Sequence, residues 1–100
     1  MKKICIQGLG FVGAAMSVAV SIAKDHHQKP LFDVIGVDLP NKTGMQKIDA
    51  INTGKFPFQT SDKYLLASIN KAHQQGNLSA TIDPSVYSEA DVVVVDVNLD

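Results

Sequence analysis

Ile4-Cys5-Ile6-Gln7-Gly8-Leu9-Gly10-Phe11-Val12-Gly13 is the stretch on which the reading of this chain turns. A short β-rich run ends in glycine, further glycines follow at the spacing Gly-x-Gly-x-x-Gly, and the uncharged segment from Phe11 to Ala23 then carries helix formers without a proline. The order is strand, tight turn, helix. Small residues line the helix (Ala14, Ala15, Ser17, Ala19, Ala23) and let a backbone come close to a sheet, while Val18 and Ile22 are spaced to face one side. Its end is expected near Asp25-His26-His27.

Pro30 closes the connection, and Phe32 to Asp38 reads as a second strand whose apolar positions suggest burial on both faces, as parallel sheets require. The crossover of such a unit is right-handed. A helix is expected from Thr43 to Asn52, with Met45, Ile48 and Ile51 at helical spacing and Gly54 as a stop signal. Phe56-Pro57-Phe58 reads as a loop with exposed or half-buried aromatics. Ser61 then looks like the N-cap of a helix from Asp62 to Gln75, whose apolar face is Leu65, Leu66, Ile69 and Ala72. Gly76-Asn77 ends it, Leu78 to Thr81 is a short third strand, and Asp83-Pro84 opens a small helix around Ser85 to Glu89. The valine run from Asp91 to Val97 is of the sort found at the centre of a parallel sheet, buried above and below. This alternation predicts an α/β fold, an open parallel sheet of the Rossmann type with helices on both faces.

Composition narrows the function classes. Apolar residues make up 45% and charged residues 19%, a globular balance. A net charge of -1 gives no basic footprint, so neither nucleic acid nor an anionic membrane surface is the expected partner. The single cysteine, Cys5, rules out an intrachain disulfide and fits a reducing compartment, where the sequons at Asn41 and Asn77 carry no meaning. Met1-Lys2-Lys3 before an uncharged stretch superficially resembles a signal peptide, but glycines and Gln7 break the apolar run early and keep a spacing that a leader has no reason to keep. Nothing later is apolar for the roughly 20 residues that span a bilayer. The expectation is a cytoplasmic protein without a membrane partner.

A Gly-x-Gly-x-x-Gly match alone is weak. Here it follows a strand, opens a helix and is followed by an acid at the end of the next strand, the context of a dinucleotide-binding turn. Gly8 permits the tight turn, Gly10 removes a side chain where backbone meets a pyrophosphate, and Gly13 lets the helix pack against the strand. Backbone N–H groups from about Phe11 to Val12 point at the phosphates, and the helix dipole favours their charge. Asp38 accepts hydrogen bonds from both ribose hydroxyls and repels a 2′-phosphate, so the cofactor expected is NAD rather than NADP. The cofactor-binding set is therefore Gly8, Gly10, Phe11, Val12, Gly13 and Asp38, with no catalytic and no metal-ligating residue.

Other polar residues are less decided. Lys42 either touches an adenosine phosphate or is a solvated lysine at a helix start. Asp96, a carboxylate at the end of the valine strand, either orients a ligand or caps a neighbouring loop. Gln7 is expected to hydrogen-bond across to the Asp96 end of the last strand. Cys5 reads as a buried small apolar side chain, and His26 and His27 as a solvated helix end.

The chain resembles the N-terminal part of the UDP-glucose/GDP-mannose dehydrogenase family, the nucleotide-sugar 6-dehydrogenases. The segments that carry this are Lys3 to Gly13, Val34 to Asp38, Ile51-Asn52-Thr53-Gly54-Lys55, Gly76-Asn77-Leu78-Ser79-Ala80-Thr81, and Glu89 to Val95. The closing pieces are the more specific, because the family similarly has a Gly-x-Leu-x-Ala-Thr strand followed by an Ala-Asp-Val-Val run. The resemblance implies an enzyme that uses two NAD in turn to oxidise the 6-hydroxyl of a UDP-sugar to a carboxylate, for polysaccharide biosynthesis. The family's cysteine nucleophile and lysine come from beyond this stretch, and Cys5 does not match that cysteine's motif, so the chain alone is expected to be inactive.

Two departures stand out. Phe58-Gln59-Thr60-Ser61-Asp62 replaces the family's Glu-Pro-Gly turn, and Asn98-Leu99-Asp100 replaces a Pro-Thr-Pro segment whose threonine helps hold the cofactor, which points to a divergent subgroup, with UDP-N-acetylmannosamine as a candidate substrate. The sequence also stops at its fourth strand where a domain of this type has six. The reading is of a domain truncated there, the family's central and C-terminal domains being absent, and of a homo-oligomer, with the last strand an exposed apolar edge prone to self-association. Two alternatives share the glycine turn and the acid: a non-catalytic nucleotide-sensing module, and the N-terminal half of another NAD-dependent dehydrogenase.

Overall fold

The computed structural model describes residues 1–96, in the order β1 (Lys2–Gln7), α1 (Phe11–Ser21), β2 (Phe32–Val37), α2 (Lys42–Asn52), α3 (Lys63–Gln75), β3 (Leu78–Thr81), a 3₁₀ turn (Pro84–Glu89) and β4 (Val92–Val95). The strands form one parallel sheet in the order β3-β2-β1-β4, with Ile4 level with Val34 on one side and Val92 on the other. Right-handed crossovers then place α1, α2 and α3 on one face and the 3₁₀ turn on the opposite face. The alternation of β1 agrees: Ile4 and Ile6 join the core with Ala14 and Val18 of α1, while the Cys5 thiol turns the other way, 3.6 Å from the Val86 carbonyl of the 3₁₀ turn. Helices cover both faces, unevenly.

The main core lies between the sheet and α1 to α3: Ile6, Leu9, Val18, Val34, Ile51 and Ile69 are almost fully enclosed. Phe56 is buried with them, more deeply than the exposed or half-buried position expected of a loop aromatic, because it meets the Phe11 ring edge to face at 5.2 Å. Met45 and Leu66, assigned to apolar helix faces from spacing, are exposed, and Ser68 takes a buried place on α3.

Several boundaries differ from those expected. Helix α1 stops at Ser21, four residues before the expected Asp25, because the buried Asn77 amide takes the Ser21 carbonyl at 2.6 Å and the Phe32 carbonyl at 2.9 Å. Asp25 instead accepts from the N–H groups of His27 and Lys29, so both histidines sit in a turn beyond the helix. Asp62, one residue after Ser61, is the N-cap of α3 and accepts from the Leu65 N–H. Gly76 closes that helix in the left-handed conformation.

The valine run is not central. β4 pairs with β1 alone among the described residues, and Val92, Val93 and Val95 are 47%, 43% and 55% exposed. It begins one residue later than expected, Asp91 being spent on hydrogen bonds with the Lys3 backbone, and the expected end at Val97 lies outside the described residues.

Candidate functional site

Gly8 ends β1 with φ +95°, a left-handed turn that glycine adopts without strain, and its N–H donates to the Val37 carbonyl. Gly10 is the extended N-cap of α1, and the Ala14 N–H returns to its carbonyl. A Cβ on Gly13 would fall on the Gly8 carbonyl oxygen, so only glycine lets the first turn of α1 lie against the end of β1.

Carboxylates grip this turn from both sides. Asp38, at the end of β2, accepts from the Leu9 N–H through Oδ2 at 2.9 Å and from the Leu39 N–H through Oδ1 at 2.7 Å. Asp96, after β4, accepts from the Gly13 N–H at 3.0 Å. The N–H groups of Gly10, Phe11 and Val12 have no acceptor among the described residues. They open together at the positive end of a helix, the setting in which a phosphate is bound.

Beside the turn, at the C-terminal ends of the strands, lies a cleft of about 580 Å³ whose walls include Gly8, Asp38, Leu39, Ile82, Tyr87 and Asp96. In open α/β sheets ligands lie in this position. Burial pushes the Tyr87 hydroxyl's pKa up, helped by the neighbouring Cys5 and Asp38, so it stays a neutral hydrogen-bond donor. Burial likewise raises the Cys5 thiol, with Asp33 adding to it, so Cys5 is the buried apolar filler its position suggested.

All six expected cofactor residues converge on one spot: Gly8, Gly10 and Gly13 in the turn, Phe11 and Val12 at its mouth, and Asp38 hydrogen-bonded into it. Lys47 was not foreseen. Its ammonium lies 3.9 Å from Asp38 and 5.6 Å from the centre of the Phe58 ring, which in turn leans on Phe11. Lys42, expected either to touch an adenosine phosphate or to be a solvated lysine at a helix start, is exposed at the start of α2. The signal was present in the spacing, since Lys47 shares the inward stripe of Gly44, Ile48 and Ile51. Gln7 does meet Asp96, but through backbone, its carbonyl accepting from the Asp96 N–H at 2.8 Å. The Asn98 to Asp100 departure lies outside the described residues. No group of metal-binding side chains and no helix long and apolar enough to cross a membrane occurs among the described residues.

A parallel strand, a glycine turn, a helix with open amides and an acid ending the next strand define a dinucleotide-binding domain of the Rossmann type. The chain belongs to the UDP-glucose/GDP-mannose dehydrogenase family, matching its NAD binding domain over residues 2–99. Its cofactor is accordingly NAD, and members of that family are NAD-dependent dehydrogenases.

Solved structures agree. An NDP-N-acetyl-D-galactosaminuronic acid dehydrogenase from Methanosarcina mazei Go1 superposes with a TM-score of 0.85 and 28% identity, over 98% of this chain and 20% of its own. GDP-mannose dehydrogenase from Pseudomonas aeruginosa, solved as a ternary complex, gives 0.74 at 35% identity, over 95% and 19%. The UDP-N-acetyl-mannosamine dehydrogenase Cap5O from S. aureus, at 24% identity and 0.72 over 96% and 19%, shares the fold. The chain thus spans about a fifth of the length of these structures. No curated protein matches it significantly.

Proposed function

We propose that this chain is the NAD-binding portion of a nucleotide-sugar 6-dehydrogenase, an enzyme that oxidises the C6 hydroxyl of a UDP-sugar to a carboxylate with two NAD. The observation that carries the reading is the union, at one helix mouth, of three open amides with a carboxylate one strand away. The amides of Gly10, Phe11 and Val12 would hold the pyrophosphate, Gly8 and Gly13 would shape the turn, and Asp38 would hold the adenosine ribose. Asp38 is already oriented by two backbone N–H groups, which leaves lone pairs for ribose hydroxyls facing the cleft. Lys47 would steady that carboxylate. NAD supplies the chemistry by accepting a hydride from the carbon being oxidised.

Support for the substrate class is by likeness, two neighbours above 25% identity being named for nucleotide sugars. The hundred residues would form the N-terminal part of the cofactor domain, with the catalytic nucleophile, the sugar-nucleotide pocket and the homo-oligomer interface supplied elsewhere in the enzyme. By itself this portion would be inactive. A cytoplasmic role in polysaccharide precursor synthesis follows from the same reading.

Isothermal calorimetry tests it. Wild-type protein should bind NADH at least tenfold more tightly than NADPH, because Asp38 repels a 2′-phosphate. Asp38→Ala should lose most of the NADH affinity and most of the discrimination. Equal NADH binding by both proteins would remove the ribose assignment.

A further inference from the structure

Asp96 fills the space beside every glycine of the turn. Its N–H is held by the Gln7 carbonyl, its own carbonyl oxygen lies 2.7 Å from where a Gly8 Cβ would stand, and its Oδ2 lies 3.3 Å from a Gly10 Cβ and 2.9 Å from a Gly13 Cβ. That same oxygen accepts from the Gly13 N–H. A carboxylate just after β4 therefore sits inside the helix mouth, on one of the amides that the helix leaves free, and beside the three that remain.

We infer that Asp96 is a positioning residue that sets how strongly the domain holds NAD, capping the first turn of α1 while opposing the pyrophosphate with its own negative charge. This rests on the proposed placement of the pyrophosphate at Gly10 to Val12. The two roles pull in opposite directions. The cap fixes the turn in the shape that presents the open amides, and the charge cancels part of the attraction that the helix end exerts on an anion. A residue that only braced the turn would need an acceptor oxygen and no charge, so the roles separate by substitution.

Asp96→Asn keeps a carbonyl oxygen for the Gly13 N–H and removes the charge. At low ionic strength it should bind NADH roughly five- to tenfold more tightly than wild type. The gain should shrink as salt is raised towards about 0.5 M, where screening shortens the reach of surface charges to a few ångströms. It should be absent for adenosine, which carries no phosphate. Asp96→Ser, with a hydroxyl acceptor in place of the carboxylate, should repeat the pattern and serves if the asparagine variant folds poorly. Equal or weaker NADH binding by a variant that melts at the wild-type temperature, or a gain indifferent to salt, would overturn the inference. Wild-type protein that fails to bind NADH would sink the proposed function and this inference with it, whereas wild-type binding with unchanged variants sinks the inference alone.

Discussion

Gly13 and Gly76 show how differently two glycines can matter. At Gly76 the backbone is left-handed with φ +78°, and an added Cβ would meet nothing within 4 Å. Alanine there costs only the left-handed strain, about 1 kcal/mol. At Gly13 the backbone is ordinary helix, yet a Cβ would collide with the Gly8 carbonyl, which is rigid backbone already bent by its own turn. Gly13→Ala must push α1 away from β1, at about 3 kcal/mol, and the push tilts the amides of Phe11 and Val12. Urea unfolding should rank Gly13→Ala well below Gly76→Ala in stability, and only Gly13→Ala should lose NADH affinity. Equal stability losses would mean that the first turn gives way more easily than this packing allows. The motif could be read because each glycine answers a local requirement of spacing. Lys47 could not be read with the same ease, since its pairing with Asp38 depends on how α2 leaves the end of β2.

Among the elements, β3 has a problem common to edge strands, a free row of N–H and C=O groups on its outer side. Asn52, the last residue of α2, answers it: its amide Nδ2 donates to the Ala80 carbonyl at 2.9 Å and its Oδ1 accepts from the Ala80 N–H at 2.8 Å. One side chain thus takes the place of a pairing residue. Asn52→Ala leaves both Ala80 groups without that partner and should cost about 2 kcal/mol. Hydrogen exchange at the Ala80 amide should quicken in the variant, and an unchanged rate would show that the clip is dispensable. The helices themselves were legible from periodicity, but their ends were less so. Ser61 and Asp62 can both cap, and the direction of the chain into α3 decides for Asp62. The early stop of α1 was out of reach of any local rule, because the Asn77 amide that takes the Ser21 carbonyl comes from 56 residues away.

For the molecule as a whole, the open parallel sheet was legible because alternating strands and helices with a glycine turn after the first admit few topologies. Burial was less so, since a valine run looks the same at the centre of a sheet and at its edge. The two ends of the sheet differ: β3 is clipped by Asn52, which sequence alone hid, while the outer side of β4, expected from the sequence to be an exposed apolar edge, has no pairing strand among the described residues and leaves Val92, Val93 and Val95 about half exposed. Unpaired backbone groups flanked by valine side chains form a template for another strand. In solution this hundred-residue chain should therefore self-associate, its sedimentation coefficient rising with concentration. Val93 and Val95 lie two residues apart and so share a face. Replacing both with lysine blunts that edge by charge and leaves the core untouched, since neither contributes to it. The Val93→Lys, Val95→Lys protein should sediment as a monomer at concentrations where the wild type does not, with NADH affinity retained. A wild-type chain that runs as a clean monomer at high concentration would show that β4 is protected without a partner.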